Sequence, residues 1–276
     1  MDLKILLKAN LNLVLLSLLA MIASLIIASL RLIVLKENLG FKNSLAIWFS
    51  SQFLSNISPT HSGGEIIRFF AISMITRSSK ISTNIVLFEI LLDVFIPNIL
   101  AIVSAIFFIV FRESMFSAVP IIFSSFNILV WLTVFLKRRK VHSIVEGFLK
   151  RTGIIKYMQP SLADLDFKVD NFKLAASVAL TLFRILLVSF SIYLAYLAVG
   201  IPLKPFEALV AYLYALSLGI IPLPAGALGM EIGMSIVKPG AGVVLWRIIA
   251  YYILTLICFL YTLVLLKKLG MLGSSK

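Results

Sequence analysis

Two motifs combine helix-breaking residues with a carboxylate, and both lie within strongly apolar sequence. Their candidate binding residues are Pro59, Gly63, Gly64 and Glu65 in the first motif, and Pro224, Gly226, Gly229 and Glu231 in the second. A bilayer tolerates an interrupted helix or a charged group only where protein or a watery cavity surrounds it. We therefore predict that both motifs line one central site that handles a polar group inside the membrane.

The first motif has the groups that could bind a phosphate. Gly63 and Gly64 would let backbone amides approach a ligand, and the helix that follows would present its positive N-terminal end. Arg68 lies about one turn further on, where its guanidinium could contact phosphate oxygens. Alternatively, the glycines only permit a hairpin and Glu65 pairs with Arg68 at an i,i+3 spacing. The sequence leaves both interpretations open.

Further charged residues stand inside the apolar segments. Glu89 and Asp93 are four residues apart and share one helical face, so they need a proton or a cationic partner. They could couple transport to protons, or form ion pairs with Arg184 or Arg247. Glu231 could pair with an amine headgroup, another cation or Arg247. Because a charge at the helix centre costs about 2.5 to 3.5 kcal/mol, we expect these side chains to avoid lipid.

Apolar segments of bilayer length must position these residues. We predict continuous spans at about residues 9–35, 81–111, 115–136, 173–199 and 241–266. Four other apolar segments, each too short to cross comfortably, form two neighbouring pairs: residues 44–58 with 64–76, and residues 205–221 with 228–238. These predict two broken, re-entrant helix pairs. Their similar place in each half predicts an inverted internal repeat.

The composition is also that of a membrane protein. Hydrophobic residues make up 61 % of the chain and charged residues 13 %, which predicts an all-α polytopic membrane bundle. We treat residues 1–276 as one membrane domain with halves at 1–136 and 173–276, joined by a basic cytoplasmic linker at 137–172. The net charge of +13 is explained by basic loops that orient the chain, so we expect no nucleic-acid partner.

The motifs resemble those of the lysylphosphatidylglycerol synthase transmembrane family, also called flippase-like, over nearly the whole chain. The matching positions are Pro59, Gly64, Glu65, Arg68, Glu89, Asp93, Glu231 and Arg247. Members usually show Pro-Gly-Gly-x-Gly before the second glutamate, whereas this chain reads Pro-Ala-Gly-Ala-Leu-Gly-Met-Glu from Pro224. The resemblance implies a multi-pass protein of the cell membrane that translocates lipids or lipid-linked headgroups.

The expected partner is therefore a phospholipid or a polyprenyl-phosphate-linked lipid, bound by the two motifs together with Arg68 and Arg247. An alternative is an accessory or scaffold subunit of a lipid- or glycan-modifying enzyme. Larger members of the family carry a soluble aminoacyl-transferase domain. Because only residues 270–276 follow the final predicted span, we expect no such activity.

A weaker alternative is a membrane glycosyltransferase, since Asp164 and Asp166 form an Asp-x-Asp pattern that can hold a divalent metal. This pattern stands in a mixed-charge linker too small for a nucleotide-binding domain. The sequence has no nucleophile-elbow, phosphate-loop or paired-histidine zinc motif. We therefore expect no enzyme activity, no cofactor and no metal.

Overall fold

The apolar segments fold as helices, because a backbone surrounded by lipid must satisfy its hydrogen bonds within its own segment. The computed structural model describes residues 4–58, 63–112, 115–137, 169–221 and 226–268. All regular structure in these ranges is helical. The α-helices are α1 Lys4–Leu7, α2 Leu11–Leu35, α3 Phe41–Ile57, α4 Gly63–Thr76, α5 Ser79–Arg112, α6 Ala118–Leu136, α7 Asn171–Ala198, α8 Pro205–Leu218, α9 Gly229–Val237, α10 Ala241–Arg247 and α11 Leu254–Lys268.

Long apolar helices confirm the predicted membrane fold. Within the described ranges, five are long and apolar enough to cross a membrane: Leu11–Leu35, Ile81–Phe111, Met115–Leu136, Asn171–Ala198 and Ala241–Lys267. Each coincides with a predicted span to within a few residues. The last combines α10, a π-helical segment at Ile248–Ile253, and α11. The protein is thus an all-α, multi-pass membrane bundle.

The four shorter segments form two helix pairs. Helix α3 packs against α4, and α8 packs against α9. Capping residues mark where these helices begin: Pro205 is in the first turn of α8, and the carboxylate of Glu207 accepts the backbone N–H of Lys204 at 2.9 Å. The re-entrant path of each pair, the inverted repeat and the proposed division into halves stay predictions.

Glycines bring the two helices of each pair into close contact. A Cβ on Gly64 would lie 2.6 Å from the Ser51 hydroxyl, and one on Gly63 would lie 2.7 Å from the Leu54 carbonyl oxygen. In the second pair, a Cβ on Gly233 would lie 2.5 Å from the Tyr214 carbonyl. Small residues are required at these contacts because helix backbones approach each other directly.

Three long helices hold the two pairs around one centre. Helix α2 packs along α7, and a hydrogen bond of 2.8 Å between the hydroxyls of Ser17 and Ser191 joins them. Helix α5 contacts α4 on one side and α8 on another, α10 contacts α7, and α11 contacts α3. Both short pairs therefore face the middle of the bundle formed by α2, α5 and α7.

Candidate functional site

A cavity of about 640 Å³ lies at the centre of the bundle. Its wall includes Trp48 and Arg68 from the first short pair, and Tyr212 and Met230 from the second. Helices α2, α5 and α7 complete the wall. The volume is within the range of about 300 to 1,000 Å³ that is usual for small-molecule sites. Both interrupted pairs thus border the same space.

Charged side chains from four helices meet beside this cavity. We call them the central ion cluster: Arg31 on α2, Glu65 and Arg68 on α4, Glu89 and Asp93 on α5, and Arg184 on α7. Three arginines face three carboxylates, so the cluster is formally neutral. This balance is what allows charges to remain inside an apolar bundle.

Arg31 is at the middle of the central ion cluster, with only 1 % of its side chain exposed. Its Nε donates to Glu89 at 3.1 Å, while Nη1 and Nη2 donate to the two oxygens of Asp93 at 2.7 and 2.8 Å. Nη1 also donates to the Thr181 hydroxyl at 2.8 Å. Such a bidentate arginine–carboxylate pair fixes geometry as well as charge.

Arg68 connects the first motif to the same cluster. Its Nη2 lies 3.1 Å from Glu65, and its Nη1 lies 3.2 Å from Glu89. The i,i+3 ion pair proposed from the sequence is therefore present. Glu89 bridges Arg68 and Arg31, which ties α4 to α2 through α5.

Arg184 and Arg247 pair with different carboxylates. Arg184 lies 3.2 Å from Asp93, as one of the predicted ion pairs requires. Arg247 pairs with Glu231 at 3.0 Å, one of the partners predicted for that carboxylate, and its guanidinium lies 4.6 Å from the ring centre of Tyr251. Both arginines line the cavity.

Trp48 on α3 forms an aromatic platform for the central ion cluster. The guanidinium carbons of Arg68, Arg184 and Arg31 lie 4.4, 4.9 and 5.4 Å from the centre of its ring. The negative face of an aromatic ring attracts cations at these distances. Trp48 therefore helps to keep three positive groups close together.

Several buried polar atoms of the cavity wall have no hydrogen-bond partner in the described part of the chain. They are Nε of Arg68, Nε of Arg184, Nε1 of Trp48, Nε1 of Trp246, Oε2 of Glu65 and Oδ1 of Asn98. A buried polar group without a partner costs about 1 to 3 kcal/mol. Four of these atoms are N–H donors, so the wall is better matched to a guest that accepts hydrogen bonds.

The sequence matches a known protein family. A family model described as the lysylphosphatidylglycerol synthase TM region matches residues 3–266. The chain belongs to this family. A search of curated proteins finds no match. The match covers nearly the whole chain, in agreement with the resemblance seen in the motifs.

In this member of the lysylphosphatidylglycerol synthase TM family, the residues predicted for the site fall into three groups. Those that line the cavity are Glu65, Arg68, Asp93 and Arg247. Glu89 is fully buried behind them in the central ion cluster. Those that mediate helix contacts or an ion pair beside the cavity are Gly63, Gly64, Gly226, Gly229 and Glu231. Pro59 and Pro224 lie outside the described residues, as do Asp164 and Asp166.

One of the amides expected to face a phosphate, that of Gly63, has another partner. The N–H of Gly63 donates to the Ser58 hydroxyl at 2.9 Å. The Gly63 N–H therefore already has a hydrogen-bond acceptor within this family member. Among the described residues, no group of three or more His, Cys, Asp or Glu side chains could hold a metal ion.

Sequence reasoning missed Arg31 and the role of Trp48. An arginine within the predicted span at residues 9–35 was itself a signal, because a charge at the centre of a membrane helix is costly and needs a partner. Trp48 carried no such signal. Its contacts depend on arginines from three other helices.

Replacing Trp48 by leucine should lower the free energy of unfolding by about 2 to 4 kcal/mol, since both packing and three cation–π contacts are lost. Trp48→Phe keeps an aromatic face, so its free energy of unfolding should fall by less than that of Trp48→Leu. Thermal unfolding of the detergent-solubilised protein measures both effects. Trp131→Leu is the matched control, because Trp131 is only partly buried. Equal losses for Trp48→Leu and Trp48→Phe would contradict the platform role.

Proposed function

We propose that this protein binds the phosphate-bearing headgroup of a membrane lipid in the central cavity and moves it across the bilayer. It would thus act as a translocator of lipids or lipid-linked intermediates at the cell membrane. One observation carries the proposal: Arg68, Arg184 and Arg247 line a single cavity that both interrupted helix pairs border inside an apolar bundle.

The size of the cavity supports a headgroup rather than a whole lipid. A volume of about 640 Å³ accommodates a phosphate and its polar substituent, while acyl or prenyl chains would remain in the surrounding bilayer. Large apolar side chains on the outside of the bundle, such as Leu19, Val103 and Phe190, are compatible with such lipid contact.

The chemistry of the wall supports an anionic group. Guanidinium groups form two parallel hydrogen bonds to phosphate oxygens and are less strongly hydrated than ammonium groups. The buried N–H atoms of Arg68, Arg184, Trp48 and Trp246 would gain partners if small side-chain movements turned them toward a bound phosphate. Phosphate carries only acceptor oxygens when ionised, which matches this excess of donors.

We further propose that binding and release, rather than a bond-making step, constitute the activity. Every carboxylate of the central ion cluster is engaged by an arginine, so none is poised as a general base. The expected partner is a phospholipid or a polyprenyl-phosphate-linked lipid. A lipid-modifying enzyme could act on the transported molecule.

Reconstitution into vesicles tests the proposal. Fluorescent phospholipids and polyprenyl-phosphate-linked substrates should cross protein-containing vesicles faster than empty ones. Arg68→Ala should reduce the rate roughly ten-fold or more, because a hydrogen-bonded charged contact contributes about 1.5 to 3 kcal/mol. Lys173→Ala is the control, since the contact that Lys173 makes among the described residues is an exposed one with Glu37 at 3.8 Å.

Arg68 also pairs with Glu65 and Glu89, so the folded state of each variant must be checked by thermal unfolding before rates are compared. Wild-type rates equal to those of empty vesicles, with every substrate, would contradict transport. Equal rates for folded Arg68→Ala and wild-type protein would contradict recognition at the central ion cluster.

A further inference from the structure

Glu65 is the least restrained carboxylate of the central ion cluster. Its side chain is 33 % exposed, compared with 23 % for Asp93 and 0 % for Glu89. Within the described part of the chain, its Oε1 pairs with Arg68 alone and its Oε2 has no partner. Glu65 also lines the cavity. Of the three carboxylates, it can leave its arginine most easily.

Arg68 contacts three carboxylates: Glu65 and Glu89 lie nearest, at 3.1 and 3.2 Å, and Asp93 lies at 3.8 Å. On one side, Glu89 is fully buried and is bound at 3.1 Å by Arg31 as well. On the other side, Glu65 lies one turn earlier on the same helix and contacts Nη2 at 3.1 Å. A change of the Glu65 rotamer would uncover Nη2, whereas removing Glu89 would leave a buried charge without its full set of partners.

A carboxylate and a phosphate offer the same chemistry to a guanidinium, namely negative oxygens that accept its N–H groups. We infer that Glu65 is an internal competitor of the ligand. Its carboxylate occupies the Nη2 of Arg68 in the empty cavity and gives that position to the phosphate of a bound headgroup. This inference rests on the proposed function. The competition would determine how tightly the same site binds the headgroup.

Competition of this kind suits a carrier. Without a bound headgroup, the central ion cluster stays charge-balanced because Glu65 pairs with Arg68. Arg68 is therefore never left as an unpaired buried cation. The bound headgroup must displace Glu65, which weakens affinity and helps release. A transport site has to bind strongly enough to load and weakly enough to unload.

Binding to the detergent-solubilised full chain tests the inference. Intrinsic tryptophan fluorescence reports on the site, because the Trp48 ring lies 4.4 Å from the Arg68 guanidinium. Dihexanoyl phosphatidylglycerol is titrated in one arm and inorganic phosphate in the other. The Kd of Glu65→Gln for the phospholipid should be roughly three- to ten-fold lower than that of wild type, because the competing charge is removed.

Two further variants complete the test, one as a control and one as a conservative change at Glu65. Glu37→Gln removes an exposed carboxylate outside the cavity and should leave the Kd unchanged. Glu65→Asp keeps the charge on a shorter side chain and should tighten binding less than Glu65→Gln. A gain confined to the phospholipid arm identifies a lipid headgroup as the ligand, while a gain in both arms shows that phosphate alone suffices. Either result supports competition.

An unchanged or higher phospholipid Kd for folded Glu65→Gln would overturn the inference. Arg68→Ala separates this failure from failure of the proposed function. If Arg68→Ala weakens binding while Glu65→Gln does not tighten it, only the competitor role is lost. If Arg68→Ala binds as wild type does, phosphate recognition by Arg68 fails as well.

Discussion

Replacing Arg31 by methionine is expected to lower the free energy of unfolding by about 3 to 5 kcal/mol, the loss typical of breaking a buried ion pair. The substitution removes the guanidinium that holds Glu89 and both oxygens of Asp93. Only Arg68 and Arg184 would then face the three carboxylates of the central ion cluster, which leaves one negative charge uncompensated. Because these partners come from α2, α4, α5 and α7, the loss should loosen all four helices.

Thermal or denaturant unfolding in detergent measures this effect. Arg31→Lys keeps the charge but not the planar two-point contact, so its free energy of unfolding should fall by less than that of Arg31→Met. Lys173→Met is the control: its contact with Glu37 is exposed, and the change should stay within about 0.5 kcal/mol.

A second substitution tests whether uncompensated negative charge causes the loss of stability in Arg31→Met. Adding Asp93→Asn to Arg31→Met removes one negative charge and should restore part of the lost stability. If Arg31→Met were as stable as the Lys173→Met control, the central ion cluster would not hold the helices together.

Replacing Gly233 by alanine should cost about 1 to 3 kcal/mol, and by leucine more, because added atoms meet backbone that cannot move aside. The new Cβ would lie 2.5 Å from the carbonyl of Tyr214 and 2.6 Å from the amide nitrogen of Ala215. Relieving this overlap requires α9 to move away from α8. Tyr212 and Met230, which line the cavity from these helices, would be displaced too.

Unfolding of Gly233→Ala is compared with that of Ser235→Ala, a substitution two residues away on the same helix. Ser235 is only partly buried, and removing its hydroxyl should change stability by less than about 0.5 kcal/mol. Phosphatidylglycerol binding should weaken in the Gly233 variants alone. Equal stability of the two alanine variants would show that α8 and α9 can separate without cost.

The helices were predictable because local physics decides them. A crossing needs about 20 apolar residues, and proline with glycine interrupts such a segment wherever it occurs. The predicted pair at residues 44–58 and 64–76 agrees closely with α3 at Phe41–Ile57 and α4 at Gly63–Thr76. Even the ion pair between Glu65 and Arg68 followed from spacing, since residues three apart share a helix face.

The partners of the other charges were only partly predictable. Glu89 and Asp93 were expected to need cations, and Arg184 does pair with Asp93, but Arg31 was not considered. Arg247 pairs with Glu231, as one of the alternatives for that carboxylate proposed. Likewise, the motif glycines allowed two interpretations, and the structure shows Gly63 and Gly64 packed against α3.

Membrane class, helical spans, interrupted pairs and family membership were all readable from the order of residues, because hydrophobic length, helix breakers and motif spacing are local properties. The arrangement of the central ion cluster, the platform of Trp48 and the shared cavity were not. They depend on how each helix is rotated and which neighbour it meets, and these follow from packing among segments far apart in the chain. Folding thus brings Arg31 next to Asp93 and Thr181, which are 62 and 150 positions further along the sequence.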